Sequence, residues 1–242
     1  MQKFIHIFKQ PSFYLGIGLT LLACFFLYLS GHEKPALVEA VDNRTMDIMF
    51  RLRGVESDSG QVAIVDIDEK SLKEIGQWPW SRDIMAQMTR HLLDSGARAV
   101  GFDIVFAERD RTSPVHFFDG LDQGWLSRIP SDVVEGMKQD PGLDYDAVFG
   151  EVLSSGPTIL GYVFQAKDDG LKTPDALPFP SATIRMVPPE LNFTDTWLID
   201  TYRAVVNHPS VAMAESEGFI NVFSDASGTT RQVPLLMIMD QI

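Results

Sequence analysis

Hydrophobic positions change their pattern several times along the chain, and each pattern predicts a different element. Phe13 to Ser30 (FYLGIGLTLLACFFLYLS) is an apolar run of eighteen residues without a charge. As a helix rising ~1.5 Å per residue it spans ~27 Å, about one bilayer core. Tyr14 and Tyr28 stand near its ends, where amphipathic rings favour the interface. Pro35 to Arg53 follows as an amphipathic helix, with Leu37, Val41, Ile48 and Leu52 near one face. After the polar loop Gly54–Gly60, Val62–Ile67 (VAIVDI) is apolar on both parities, as in a buried parallel strand. Arg98–Phe106 (RAVGFDIVF) repeats that pattern.

Two helices are predicted between those strands. Asp68 caps one that runs through Ile75 and closes at Gly76. Ser81 caps another over Arg82–Ser95, stopped by Gly96, with Ile84, Met85, Met88 and Leu92 on a shared face. The unit reads as β-α-β with a right-handed crossover. Periodicity then fades over 107–145, an insertion with one helical turn near Asp132–Lys138. Order returns as a helix at Asp146–Ser154 and a strand at Thr158–Phe164. Residues 165–190 hold five prolines after Gly170 and read as a surface excursion. A helix over Asp200–Val206 and a hairpin of Phe219–Phe223 and Thr229–Met239, turning at Ser224–Gly228, complete the chain. The predicted class is α/β, a mixed sheet flanked by helices behind one N-terminal transmembrane helix. The predicted division is 1–30 for the cytoplasmic end and anchor and 31–242 for an exported domain.

Charge sharpens this picture. Lys3 and Lys9 precede the apolar run, which places the N-terminus inside and the rest outside the cytoplasm. The chain carries 20 basic and 33 acidic residues, a net charge of −13. Removing residues 1–30 takes away the two lysines and no acid. Such an acidic balance argues against nucleic acid as a partner, since phosphate binding needs clustered Lys and Arg. A single cysteine, Cys24, excludes an internal disulfide and any multi-thiolate metal site. Gly16, Thr20 and Cys24 recur every fourth residue, a spacing that lets two anchors pack closely.

Candidate chemistry is sparse. Asp66, Asp68 and Asp103 fall near the carboxyl ends of neighbouring predicted strands, where open α/β sheets place ligand sites. They read either as a carboxylate site for a cation or polar ligand, or as structural acids with Asp68 as a cap and Arg82 as a partner. Trp78-Pro79-Trp80-Ser81-Arg82 is either a pocket wall with a carboxylate grip or a plug over the core edge. Because Arg82 begins a helix whose dipole disfavours a cation, it is expected to contact at least one of Asp66, Asp68 and Asp103. No nucleophile elbow, Walker loop, HExxH or glycine-rich dinucleotide fingerprint occurs, and the five histidines are scattered. No catalytic residue, cofactor or metal is predicted. The competing enzyme reading is an exported metal-dependent or hydrolytic activity built on Asp66, Asp68 and Asp103.

The string VAIVDIDEKSLKEIGQWPWSRDIMAQMTRHLLDSGARAVGFDIVF resembles the front half of the CHASE type 2 domain, an extracellular sensory module of bacterial cyclases and histidine kinases. GFINVFSDASGTTRQVPLL is similar to that family's closing hairpin, and VDNRTMDIMFRLRG to its opening helix. The family pattern falls on Asp66, Asp68, Trp78, Pro79, Trp80, Arg82, Asp103, Asp225, Gly228 and Arg231. Ser227 stands where the family usually has a second turn Asp, which weakens a cation clasp at that turn. The resemblance implies a periplasmic sensor of a small-molecule or envelope signal, anchored in the bacterial inner membrane. It also implies a homodimer that is part of a longer receptor with a cyclase or kinase output.

Overall fold

The computed structural model describes residues 11–29, 35–167, 170, 198–225 and 227–239, and divides into two units, Met1–Ile64 and Val65–Ile242. In the first unit, the apolar run forms helix α1, Pro11–Leu29. Among the described residues, no helix is long and apolar enough to cross a membrane. The anchor reading therefore stays with the sequence. Helix α2, Ala36–Arg53, begins one residue after Pro35, and Gly54 closes it with its N–H on the Phe50 carbonyl. None of its residues is buried.

In the second unit, α3 (Glu69–Ile75) and α4 (Arg82–Asp94) form where the caps predict. At the end of α4, Ala97 N–H reaches back to Leu92 O at 3.1 Å and Gly96 N–H to Leu93 O at 2.9 Å. These paired bonds satisfy carbonyls that the last turn leaves open. Strand β1 is only Val100–Gly101. The insertion holds α5 (Gln123–Leu126) and α6 (Ser131–Gln139). Next come α7 (Tyr145–Ser154) and β2 (Thr158–Gln165). Then follow β3 (Ile199–Thr201), β4 (Arg203–Val205), β5 (Ser216–Phe219) and β6 (Met237–Met239).

Strand β2 organises a mixed sheet. It pairs parallel with β1 (Val100 opposite Thr158) and with β5 (Tyr162 opposite Phe219), and antiparallel with β4 (Phe164 opposite Ala204). Asn221 continues the β5 side with a side-chain amide. It accepts from Phe164 N–H at 2.7 Å and donates to Phe164 O at 2.8 Å. Separately, β3 and β6 form a parallel pair. The main core lies between α4, α7 and the sheet, with Met85, Phe149, Leu153 and Leu160 fully buried. Phe102, Phe106 and Phe149 stack edge to face at 5.2–5.9 Å, the geometry aromatic quadrupoles favour. Tyr162, Phe164 and Ala204 head a second, smaller core.

Four expectations are corrected. Val62–Ile67 forms no strand, and Val62 and Ile64 are 75% and 91% exposed. The predicted first crossover is thus absent, and parallel pairing arises instead between β1 and β2 across the insertion. The second strand frays because Phe102 makes the last rung, its N–H on Ile159 O at 2.9 Å, before the chain bends at Asp103. Asp200–Val206 is extended, not helical: Thr201 and Ala204 are buried, in β3 and β4 respectively, and both strands take ladder partners. This is tertiary pairing overriding a weak local preference. Finally, the closing segments share a turn but no ladder, since β5 pairs with β2 and β6 with β3. Most of the 165–190 excursion lies outside the described residues.

Candidate functional site

The three strand-end acids do not converge. Asp66 and Asp103 are exposed. Asp68 caps α3, its Oδ1 accepting from Ser71 N–H at 2.8 Å and Ser71 Oγ–H at 2.7 Å. The Ser71 backbone bond, then its hydroxyl, holds this carboxyl below its ordinary value. Among the described residues, no group of three His, Cys, Asp or Glu side chains is placed to hold a metal ion. The cap expectation for Asp68 is met, and no metal site forms from Asp66, Asp68 and Asp103.

Arg82 is buried but chooses other partners. Its Nε lies 3.5 Å from Asp146 Oδ1, its Nη2 donates to Glu108 O at 3.3 Å, and its guanidinium sits 4.5 Å above the Phe106 ring. Asp110 Oδ2 accepts the Arg82 backbone N–H at 2.7 Å, so a carboxylate 28 residues away caps α4. The Ser81 side chain makes no cap bond and instead donates to Asp83. Asp110 N–H in turn donates to Asp146 Oδ2 at 2.9 Å, and Asp110 Oδ1 accepts from Thr112 N–H and Oγ–H. Burial pulls the guanidinium's pKa down, and Asp146 and then Asp110 pull it back. The expected contact with Asp66, Asp68 or Asp103 is corrected. Compensation for the cation comes from the two ends of the insertion, because Asp110 and Asp146 are the carboxylates the fold brings to the start of α4.

The tryptophans flank this cluster. Trp80 is buried, with Nε1 donating to Gly76 O at 2.8 Å. Trp78 is half-buried against the same core and meets Trp80 edge to face at 5.8 Å. Pro79 between them is cis. Within the pentapeptide, Trp80 and Arg82 are thus buried and Trp78 half-buried.

The closing turn is built around Asp225. Its Oδ1 accepts from Ser227 N–H at 2.8 Å, Ser227 Oγ–H at 2.6 Å and Thr229 N–H at 3.2 Å. Arg231 binds its other oxygen and also donates to Ser227 Oγ at 3.0 Å. Gly228 adopts φ 76°, a left-handed conformation that suits a residue without Cβ. The Ser227 hydroxyl, above all, holds the Asp225 carboxyl down to about 2. Here the departure from the family's second Asp has a physical sense. Serine donates to Asp225 where a carboxylate would repel it, and an arginine closes the turn.

Inside the insertion lies a cleft of about 410 Å³. His116 Nδ1 and Lys138 Nζ lie 3.1 and 3.5 Å from the two oxygens of Asp119. The His116 bond is the main cause of the lowered pKa at Asp119. Asp140 and Asp144 also face the cleft, over Val115, Pro141 and Ala147. Sequence reasoning passed over all of these, and over Asp110, Asp146 and the buried Asn207. One signal pointed to Asp146: an acid in the first turn of a helix whose Val148, Phe149, Val152 and Leu153 mark it as core-facing.

A family model described as the CHASE2 domain matches residues 19–241. The chain belongs to the CHASE2 family. Its membership makes it a sensory, extracytoplasmic type of domain, in keeping with the resemblance carried by the WPWSR segment and the closing turn. No curated protein and no solved structure matches this CHASE2 chain.

Proposed function

We propose that this chain is the periplasmic sensing part of a bacterial transmembrane signalling receptor. In this reading residues 13–30 are an uncleaved anchor in the inner membrane, residues 31–242 are the sensor domain, and the receptor is a homodimer. The output is an adenylate or guanylate cyclase or a histidine kinase. The observation that carries the reading is the extent of the family match, which begins within the apolar run and ends beyond the last strand. Lys3 and Lys9 ahead of a charge-free run support the orientation. The charge-assisted cluster of Arg82, Asp110 and Asp146 fits a sensor scaffold, because it fixes one element against another.

The test is a reporter fusion after residue 60. Alkaline phosphatase joined there is expected to be active, and a reporter that works only in the cytoplasm to be silent. The reverse result would reject the anchor, the periplasmic location and the receptor reading together.

A further inference from the structure

We propose that the cleft in the insertion binds a small zwitterion carrying an ammonium and a carboxylate group. The proposal rests on the sensor reading and gives the signal its chemistry. At about 410 Å³ the cleft has the size of a small-molecule site. Its charges separate into two sets. Lys138 supplies the positive charge and His116 a ring nitrogen, and both already contact Asp119. Asp140 and Asp144 are carboxylates with no ion-pair partner among the described residues. Each gives one oxygen to a backbone N–H, Gly142 at 2.9 Å and Ala147 at 3.1 Å, and keeps the other.

A ligand ammonium is therefore matched to Asp140 and Asp144. A ligand carboxylate is matched to Lys138, whose contact with Asp119 is long and half in solvent (44% and 54% exposed) and easily exchanged. Asp119 holds His116 through Nδ1, which leaves Nε2 for a ligand. The apolar side chains of Val115 and Ala147 suit a short carbon chain between the two charges. A calcium or magnesium ion is a poorer match, since it takes six or more oxygens and only two carboxylates here are unpaired.

The experiment is calorimetric titration of the full chain in detergent micelles. The probes are glycine and 4-aminobutanoate, with butylamine, butanoate and Ca²⁺ as comparisons. At least one zwitterion is expected to bind saturably, with butylamine and butanoate about tenfold weaker or worse. The variant Asp140→Asn/Asp144→Asn keeps both cap acceptors and removes both charges. It is expected to lower zwitterion affinity about tenfold without moving the melting temperature of the free protein. Ala147→Leu narrows the cleft at an exposed position, leaves every charge in place, and should weaken binding as well. The proposal is overturned if neither zwitterion binds, if butylamine or Ca²⁺ binds as well as the zwitterions, or if affinity survives in both variants. Binding to the chain with no response from the intact receptor would reject the sensor reading and keep the site. A signalling receptor whose chain ignores both zwitterions would do the reverse.

Discussion

Nε of Arg82 and Oδ1 of Asp146 face each other at 3.5 Å, buried, and neither has a hydrogen bond among the described residues. One residue opens α4 and the other lies in the first turn of α7. The pair therefore ties the two core helices at their N-terminal ends, and the Arg82 guanidinium also lies over the Phe106 ring. In a partly dry site, losing one member leaves the other uncompensated.

Arg82→Met is expected to destabilise the domain by roughly 3–5 kcal/mol, the usual result of breaking a buried pair. Adding Asp146→Asn should recover part of that loss, because the second carboxylate is then neutral. Chemical denaturation of the parent, Arg82→Met, Asp146→Asn and the double variant gives the coupling directly. Equal stability of Arg82→Met and the parent would show that the pair holds nothing together.

The tryptophans should differ. Trp80 is 6% exposed, and Trp80→Ala is expected to cost about 3–5 kcal/mol. Trp78 is only half-buried, so Trp78→Ala should cost less. Thermal melts rank the two, and the opposite order would contradict the plug arrangement.

Asp225 predicts an acid dependence. Its carboxyl sits at about 2 against an ordinary 3.8, so the folded turn favours the charged form. The stabilising contribution is complete above about pH 4 and is lost as pH falls through the folded value. Ser227→Ala removes the largest cause and should move the titration up. Ser227→Asp places a like charge beside Asp225 and should move it further. Carboxyl-carbon NMR titration reads all three, and an unmoved Asp225 in both variants would discount the serine.

Asn207 is buried and joins three segments. Its Oδ1 accepts from Phe106 N–H at 2.8 Å, and its Nδ2 donates to Gly161 O at 3.0 Å and Glu217 Oε1 at 3.2 Å. Asn207→Ala should cost about 1–3 kcal/mol, because a backbone donor and acceptor stay buried unpaired. A loss well under that range in urea unfolding would mean that water or another group replaces the amide.

Local signals were readable where a few adjacent residues decide the outcome. Asp68 with Gly76, the Gly96 stop and the face of Met85 on α4 were all legible before folding, because caps and helical spacing act over one or two turns. Thr158–Phe164 was legible as a strand for a similar reason. Pairing was not. VAIVDI has the composition of a buried strand, yet a strand exists only where a neighbour supplies ladder bonds. The need of Arg82 for carboxylates could be read from its place at the start of a helix. Which carboxylates answered could not, since Asp110 and Asp146 lie 28 and 64 positions away with an irregular insertion between them.

That insertion leaves and rejoins the core at one place. Asp110 N–H meets Asp146 Oδ2 at 2.9 Å, and Tyr145 N–H meets Ser113 Oγ at 3.0 Å. Once the two ends of a loop are fastened together, its length matters little, and doubling it costs only about 0.6 kcal/mol in closure entropy. The segment between the fastenings is thus an exchangeable cassette. Changes to its exposed residues and its length are expected to leave the sheet register alone, so long as Arg82, Asp110, Ser113 and Asp146 remain. A scaffold of this kind lets new recognition surfaces be fitted to an unchanged body, by mutation in nature or by grafting at the bench.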